Sequence, residues 1–310
     1  MTVGDPTVLV LLSTFNGESF LEEQLVSVLN QRGVLVAVSV RDDGSTDGTI
    51  PILEDFSKRD QRIRYWRGRQ RLGPAGSFLE LARRASADYQ YYAYCDQDDV
   101  WYEDKLLRGT ESLATLSEES LGLYCSSYDV VDRDLAFLCR RDIYPEIPMT
   151  MEATIIERCP SACTMMMNRA LFLRVASSRP PYVRMHDYWT LLLAEALGGQ
   201  VVLDGRPSMM YRQQGNNAVG FTSDPPIKRL PKLVRKAINS PRERSRQVAS
   251  LLDEVKADML NDDIRKTLHR VTHYTESIRD WIGLLLDPAF RTPTPGATLL
   301  ARMALLFRVF

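Results

Sequence analysis

A chain of 310 residues with 45% hydrophobic and 25% charged residues has the composition of an ordinary soluble globular protein, long enough for a catalytic domain with an appendage. The formal net charge of −1 conceals an asymmetry: from Lys228 onward 16 Lys and Arg face 9 Asp and Glu, whereas 23 face 31 before it, so the two parts are expected to meet different partners. Absent features narrow the field: no apolar run approaches the roughly 20 residues of a membrane span. MTVGDPTVLVLL reads as a strand and not a signal peptide, and five cysteines (95, 125, 139, 159, 163) without zinc-type spacing read as reduced cytosolic thiols.

Val8–Leu12 is a short β-branched run, a first strand. Ser19-x-x-Glu22 then has the form of a capping box, and Leu21, Leu25, Val28 and Leu29 make one apolar helical stripe. A second strand is expected over 34–40, closed by the turn DDGSTDGT, and a helix over 49–56 tolerates Pro51 in its first turn. Strands over 63–66 and 89–94 flank a helix over 75–85. Beyond the stretch YCDQDDVW come a helix over 105–116 and a strand over 121–124. Further helices are expected over 168–176 and 187–196, a strand over 201–203 and a polar loop over 208–220. Asp224-Pro225-Pro226 marks a boundary between residues 1–222 and a basic, helical extension, 223–310.

Alternating strands and helices predict an α/β fold on a mostly parallel, Rossmann-like sheet, in which ligands bind beyond the carboxyl ends of the strands. Thr14 to Asn16, Asp42 with Asp43, and Asp96 to Asp99 all follow strands, so they are expected on one edge. There is no G-x-x-x-x-G-K-[ST] and no G-x-G-x-x-G, and DDGSTDGT lacks the acid spacing and closing glutamate of an EF-hand. Asp96 and Asp98 can direct oxygens at one hard cation, since Mg²⁺ or Mn²⁺ takes one or two carboxylates together with substrate phosphates. Asp99 reads as a helix-start residue favoured by the dipole. His269 and His273, one turn apart, read as surface or packing residues.

LSTFNGESFLEEQLVSVLNQ, VRDDGSTDGT, RLGPAGSF, CDQDDVW, MHDYW and YRQQGNN, in this order, resemble the inverting nucleotide-sugar glycosyltransferases of family 2, over about residues 7–222. DQDDVW, HDYW and YRQ together look most like bacterial rhamnosyltransferases of surface-polysaccharide assembly. The resemblance implies a GT-A fold and a metal-dependent catalytic domain. It places Thr14 and Asn16 near the nucleotide, and Asp43, with Asp42 beside it, at the acid that accepts from a pyrimidine N3–H. Arg71 would approach the diphosphate. Asp98 would ligate the metal directly, with Asp96 at the ribose or the metal's waters, and Asp187 would be the catalytic base. Relatives commonly carry histidine where this chain has Gln214. A neutral amide is the weaker ligand, so the site is expected to depend on substrate phosphates for its cation and to prefer Mg²⁺.

The donor implied is a sugar nucleotide, dTDP-rhamnose first, and the acceptor a surface-polysaccharide or lipid-linked glycan; no nucleic-acid partner is expected. KRLPKLVRK (228–236) and TLLARMALLFRVF (298–310) read either as helices packed on the catalytic domain or as a peripheral contact with anionic membrane. That would place the protein in the cytoplasm, at the inner face of the membrane. Two rivals stand beside this reading: a sugar nucleotidyltransferase, against which the acidic GESFLEEQL speaks, and a non-catalytic protein that kept the fold.

Overall fold

β1 (Thr7–Thr14) is the hub of the sheet. Its side chains alternate so that Val8, Val10 and Leu12 enter one apolar layer and Leu9 and Leu11 the opposite one. A strand covered on both faces must be apolar at nearly every position, which is why TVLVLLST reads as an unbroken run. The computed structural model describes residues 4–143, 149–156, 159–213, 242–291 and 295–310. β2 (Leu35–Asp42) and β4 (Tyr91–Cys95) pair in parallel with β1, and β3 (Ile63–Arg67) extends the parallel half beyond β2.

The other half is mixed. β5 (Val100–Trp101), β6 (Gly122–Val131), β7 (Phe137–Arg141), β8 (Met166–Asn168) and β9 (Gln200–Arg212) complete the order β3-β2-β1-β4-β8-β6-β9-β5, with β7 paired to β6. β8 runs antiparallel to both β4 and β6, while β6 and β9 are parallel. The helices α1 (Leu21–Leu29), α2 (Thr49–Arg59) and α4 (Lys105–Leu113) cover one face. On the other face lie α3 (Gly73–Arg84), α5 (Met151–Ile155), α6 (Arg169–Ser177) and α7 (His186–Ala196).

The basic rear packs on that second face. α8 (Glu243–Glu254), α9 (Asp262–His273), α10 (Ile278–Leu286) and α11 (Pro295–Leu306) send Val248, Leu251, Leu268, Leu284 and Leu305 into the same apolar cluster as Phe172, Trp189 and Leu192. Among the described residues no helix is long and apolar enough to cross a membrane. All five thiols are free.

Three expectations are corrected. Ser19 does not cap α1, whose N-cap is Phe20 without a side-chain bond. Instead the Glu18 carboxylate accepts from Gly48 N–H and Glu18 N–H donates to Asp47, tying the helix entry to the Asp-rich turn. The segment from Ser208 to Arg212 is strand, not loop: its polar Ser208 and Arg212 point inward, where Ser126 Oγ and Glu23 meet them. Asp99 starts no helix, since α4 begins at Lys105; its side chain is 1% exposed and holds the Arg212 N–H. His269 and His273 stack on each other, centroids 4.0 Å apart. Gln214, the segment 228–236 and the 224–226 boundary lie outside the described residues.

Candidate active site

The register of the parallel half sets the site. Thr14 pairs with Asp42 and Leu12 with Cys95, so β1, β2 and β4 finish together and their following residues emerge at one edge. A cleft of about 720 Å³ opens there, lined among others by Asn16, Asp43, Arg71, Asp96, Asp98 and Asp187. The expected residues thus converge, with two exceptions. Thr14 and Asp42 are buried behind the cleft wall. Asp42 accepts from the N–H groups of Gly44 and Ser45 and so shapes the DDGS turn.

Asp43 is held by a neighbour that sequence reading passes over. Arg41, 2% exposed, donates to Asp43 at 2.5 Å and reaches Ser77 Oγ and the Gln70 carbonyl. The Asp43 oxygens also accept from the N–H groups of Leu72 and Gly73, so the carboxylate fastens the entry of α3 to the end of β2. Two ionised oxygens offer about four lone-pair sites, which leaves one for a ligand in the cleft. Arg71 lies over the Phe15 ring at 3.8 Å, a cation–π contact that parks its guanidinium on the cleft wall.

In the DQDD loop after β4 the glutamine is as informative as the acids. Gln97 Oε1 accepts from Thr14 Oγ1 (2.6 Å) and from Phe15 N–H (2.8 Å), and Nε2 donates to the Phe15 carbonyl. It thereby welds this loop to the end of β1. Gly17 is required beside it, because a Cβ there would lie 2.5 Å from Gln97 Oε1. From the far side Arg212 donates through Nε to the Asp98 carbonyl and pairs with Glu23, while its ring-facing side covers Phe20. Gln97 and Arg212 both sit inside motifs quoted from the sequence, but only their partners reveal their task.

Burial crowds the acids. The Asp96 carboxyl is pushed up to about 7, first by desolvation and then by the charges of Asp98 and Asp187; Asp98 is pushed up to about 6 by desolvation, partly offset by Arg212. Asp99 is raised further by the same burial, and its Oδ2 has no hydrogen-bond partner among the described residues. Hard carboxylate oxygens of Asp96 and Asp98 crowded together by burial fit a divalent cation. Asp187 stands in the first turn of α7, not at the cap, which is Met185. Burial raises its carboxyl, while the Tyr188 N–H and Arg184 counteract. Beside it His186, also on the cleft wall, is 1% exposed, stacks on Phe78 at 3.9 Å and is held down to about 3 by desolvation.

Comparisons with known proteins bear on the family and the fold. Over 224 residues the chain is 26% identical to the dTDP-rhamnosyl transferase RfbG of Shigella flexneri, covering 67% of this chain and 73% of that one. Solved structures share the fold at lower identity. The S. aureus TarS 1–349 complex with UDP-GlcNAc superposes with a TM-score of 0.54 at 16% identity, over 92% of this chain and 78% of that one. For the mannosyltransferase PcManGT from Pyrobaculum calidifontis, in complex with GDP-Man and Mn²⁺, the TM-score is 0.52 at 17% identity, covering 96% and 79%. The architecture is therefore the GT-A-like one that the family resemblance implied, with extra helices at the C-terminus. The profile of "Glycosyl transferase family 2" matches residues 9–174, more than half of the sequence, and the chain belongs to that family.

Proposed function

We propose that this glycosyltransferase is an inverting, metal-dependent enzyme that moves rhamnose from dTDP-rhamnose to a hydroxyl of a surface-polysaccharide or lipid-linked glycan. One observation carries the reading: Asp43, Asp96, Asp98 and Asp187, four acids from three separate segments, line a single cleft at the strand ends. The sugar and base follow the name of the Shigella relative. The catalytic part is residues 1–222, with 223–310 as its helical extension.

In this reading Asp43 keeps one lone pair for the N3–H of the base, and Asn16 and Arg71 border the same end of the cleft. A divalent ion, Mg²⁺ or Mn²⁺, held by Asp98 with help from Asp96 would offset the charge that develops on the leaving diphosphate. Inversion requires the acceptor hydroxyl to attack from the face opposite that leaving group through an oxocarbenium-like state. Asp187 takes the hydroxyl proton, and the desolvation that raises its pKa makes it a stronger base than an exposed carboxylate.

The test is Asp187→Asn in the full-length chain, assayed with dTDP-rhamnose and Mg²⁺. Loss of general-base help is expected to slow transfer by roughly 10² to 10⁴ while dTDP-sugar binding, read by thermal shift, persists. Undiminished transfer would remove Asp187 from the mechanism, and binding of no sugar nucleotide by the wild type, with Mg²⁺ or Mn²⁺, would remove the donor assignment.

A further inference from the structure

A thiol stands where the acids of the DQDD loop crowd. One oxygen each of Asp96 and Asp99 and the sulfur of Cys163 lie within 4.8 Å of one another, and no other such triad of metal-ligating groups occurs among the described residues. Cys163 belongs to a 3₁₀ turn, Ala162–Thr164, far from the loop in sequence, and it lines the cleft beside Asp96 and Asp98. Asp99 is the second, independent pointer. One of its oxygens takes the Arg212 N–H, while Oδ2, in a side chain only 1% exposed, has no partner among the described residues. A bare buried carboxylate oxygen is costly, and a cation removes that cost. The nearby Lys105 does not serve, because its ammonium donates to the Cys163 carbonyl, Ser208 Oγ and Met209 Sδ.

We infer that Asp96, Asp99 and Cys163 form a second cation site, for a thiophilic divalent ion of the zinc type, adjoining the cation that accompanies the donor. Thiolate ligands select such ions, whereas carboxylates with phosphates suit Mg²⁺ or Mn²⁺. Ligand atoms of one tetrahedral zinc ion stand roughly 3.4–3.8 Å apart, so a triad whose atoms lie within 4.8 Å of one another closes on an ion with side-chain shifts of up to about 1 Å. On binding, the thiol gives its proton to solvent as the sulfur–metal bond forms, and the open side of the ion faces the cleft. Because Asp96 serves both sites, a thiophilic ion withdraws a ligand from the donor's cation and weakens donor binding. Only this antagonism rests on the transferase reading; the site itself needs the three side chains alone.

The test titrates the full-length, reduced, metal-free chain with Cd²⁺ without nucleotide, following the sulfur-to-cadmium absorption. Wild type is expected to develop the band at low ion concentration. Cys163→Ser is expected to lose it, and Asp99→Asn to bind at least as much more weakly as the roughly 10- to 100-fold typical of losing an outer-shell partner. Cys125→Ser, altering a buried thiol outside the triad, keeps it. Cadmium NMR of the unaltered protein guards against a misfolded variant: the shift of an ion with one sulfur and several oxygens supports the site, and an oxygen-only shift overturns it. A band that survives Cys163→Ser, or full affinity in Asp99→Asn, overturns it equally. The antagonism is then read separately, as a rise in the dTDP-sugar dissociation constant with Zn²⁺ in wild type that Cys163→Ser abolishes.

Discussion

His186 and Asp187 are neighbours in sequence that burial treats in opposite ways. The imidazole, packed on Phe78 and edge-on to Tyr94, is kept neutral down to about pH 3, whereas an unfolded chain protonates it near 6.5. A depressed histidine pKa means that its contribution to stability is complete above 6.5 and is lost as pH falls toward 3. The carboxyls of Asp96 and Asp98 run the other way, since their raised values favour the fold below about 4 and cease to do so as pH rises through about 6 and 7. His186→Phe keeps the aromatic stack and removes the titration. Its stability relative to wild type is expected to rise by a few kcal/mol, up to roughly 5, between pH 6.5 and 3. Chemical denaturation of both chains across that range checks this, and a flat difference would mean that His186 does not titrate on unfolding.

Among the elements, α8 supports the one that carries Asp187, the proposed base. The segment between α6 and α7 donates three backbone N–H groups to it: Arg179 to Glu254, Tyr182 to Ser250 Oγ and Arg184 to Gln247 Oε1. Gln247 is fully buried, and Arg184 is one of the groups that hold the Asp187 carboxyl down. Gln247→Leu leaves the Arg184 N–H without its acceptor, at a cost of about 1–3 kcal/mol. The expected result is a lower Tm and a reduced transfer rate with dTDP-sugar binding unchanged, because β1, β2 and the DQDD loop are untouched. Equal losses of donor binding and rate would show that the effect is general unfolding. Contacts between loops also set where α1 begins. Ser19 has the letters of a capping box, but the Asp47 and Glu18 pairings across to the next loop determine how the chain enters α1.

At the scale of the whole molecule, the C-terminal helices take the bland role first, with Val248, Leu268 and Leu305 closing the core over α6 and α7. They nonetheless expose a row: Ile278, Ile282 and Leu286, at i, i+4 and i+8 of α10, are 66%, 44% and 70% exposed, and Leu299, Leu306 and Phe307 are exposed in or just after α11. An apolar helical row beside Arg279 and Arg308 is the pattern of a surface that enters a lipid interface, and a lipid-linked acceptor would bring the enzyme there. Ile282→Asp, at an exposed position, should leave the fold intact and cut flotation with anionic vesicles several-fold. Unchanged flotation, or none in wild type, would end the membrane reading.

Much of this protein was legible in one dimension. Strand–helix alternation and the acids placed after β1, β2 and β4 determine an α/β sheet with a charged ligand edge, because side-chain period and chain direction are local properties. Asp43, Asp96 and Asp98 could be named for the same reason, and Asp187 through the resemblance that MHDYW carries. Partnership over long separations could not. That Asp99 is bound to β9, that Ser208 to Arg212 forms a strand, and that Cys163 reaches the acids all depend on segments far apart in the chain meeting in a dry interior, Asp99 and Arg212 being 113 residues apart and Glu23 and Arg212 189. There an unpaired polar group is costly, and which partner relieves it is set by packing.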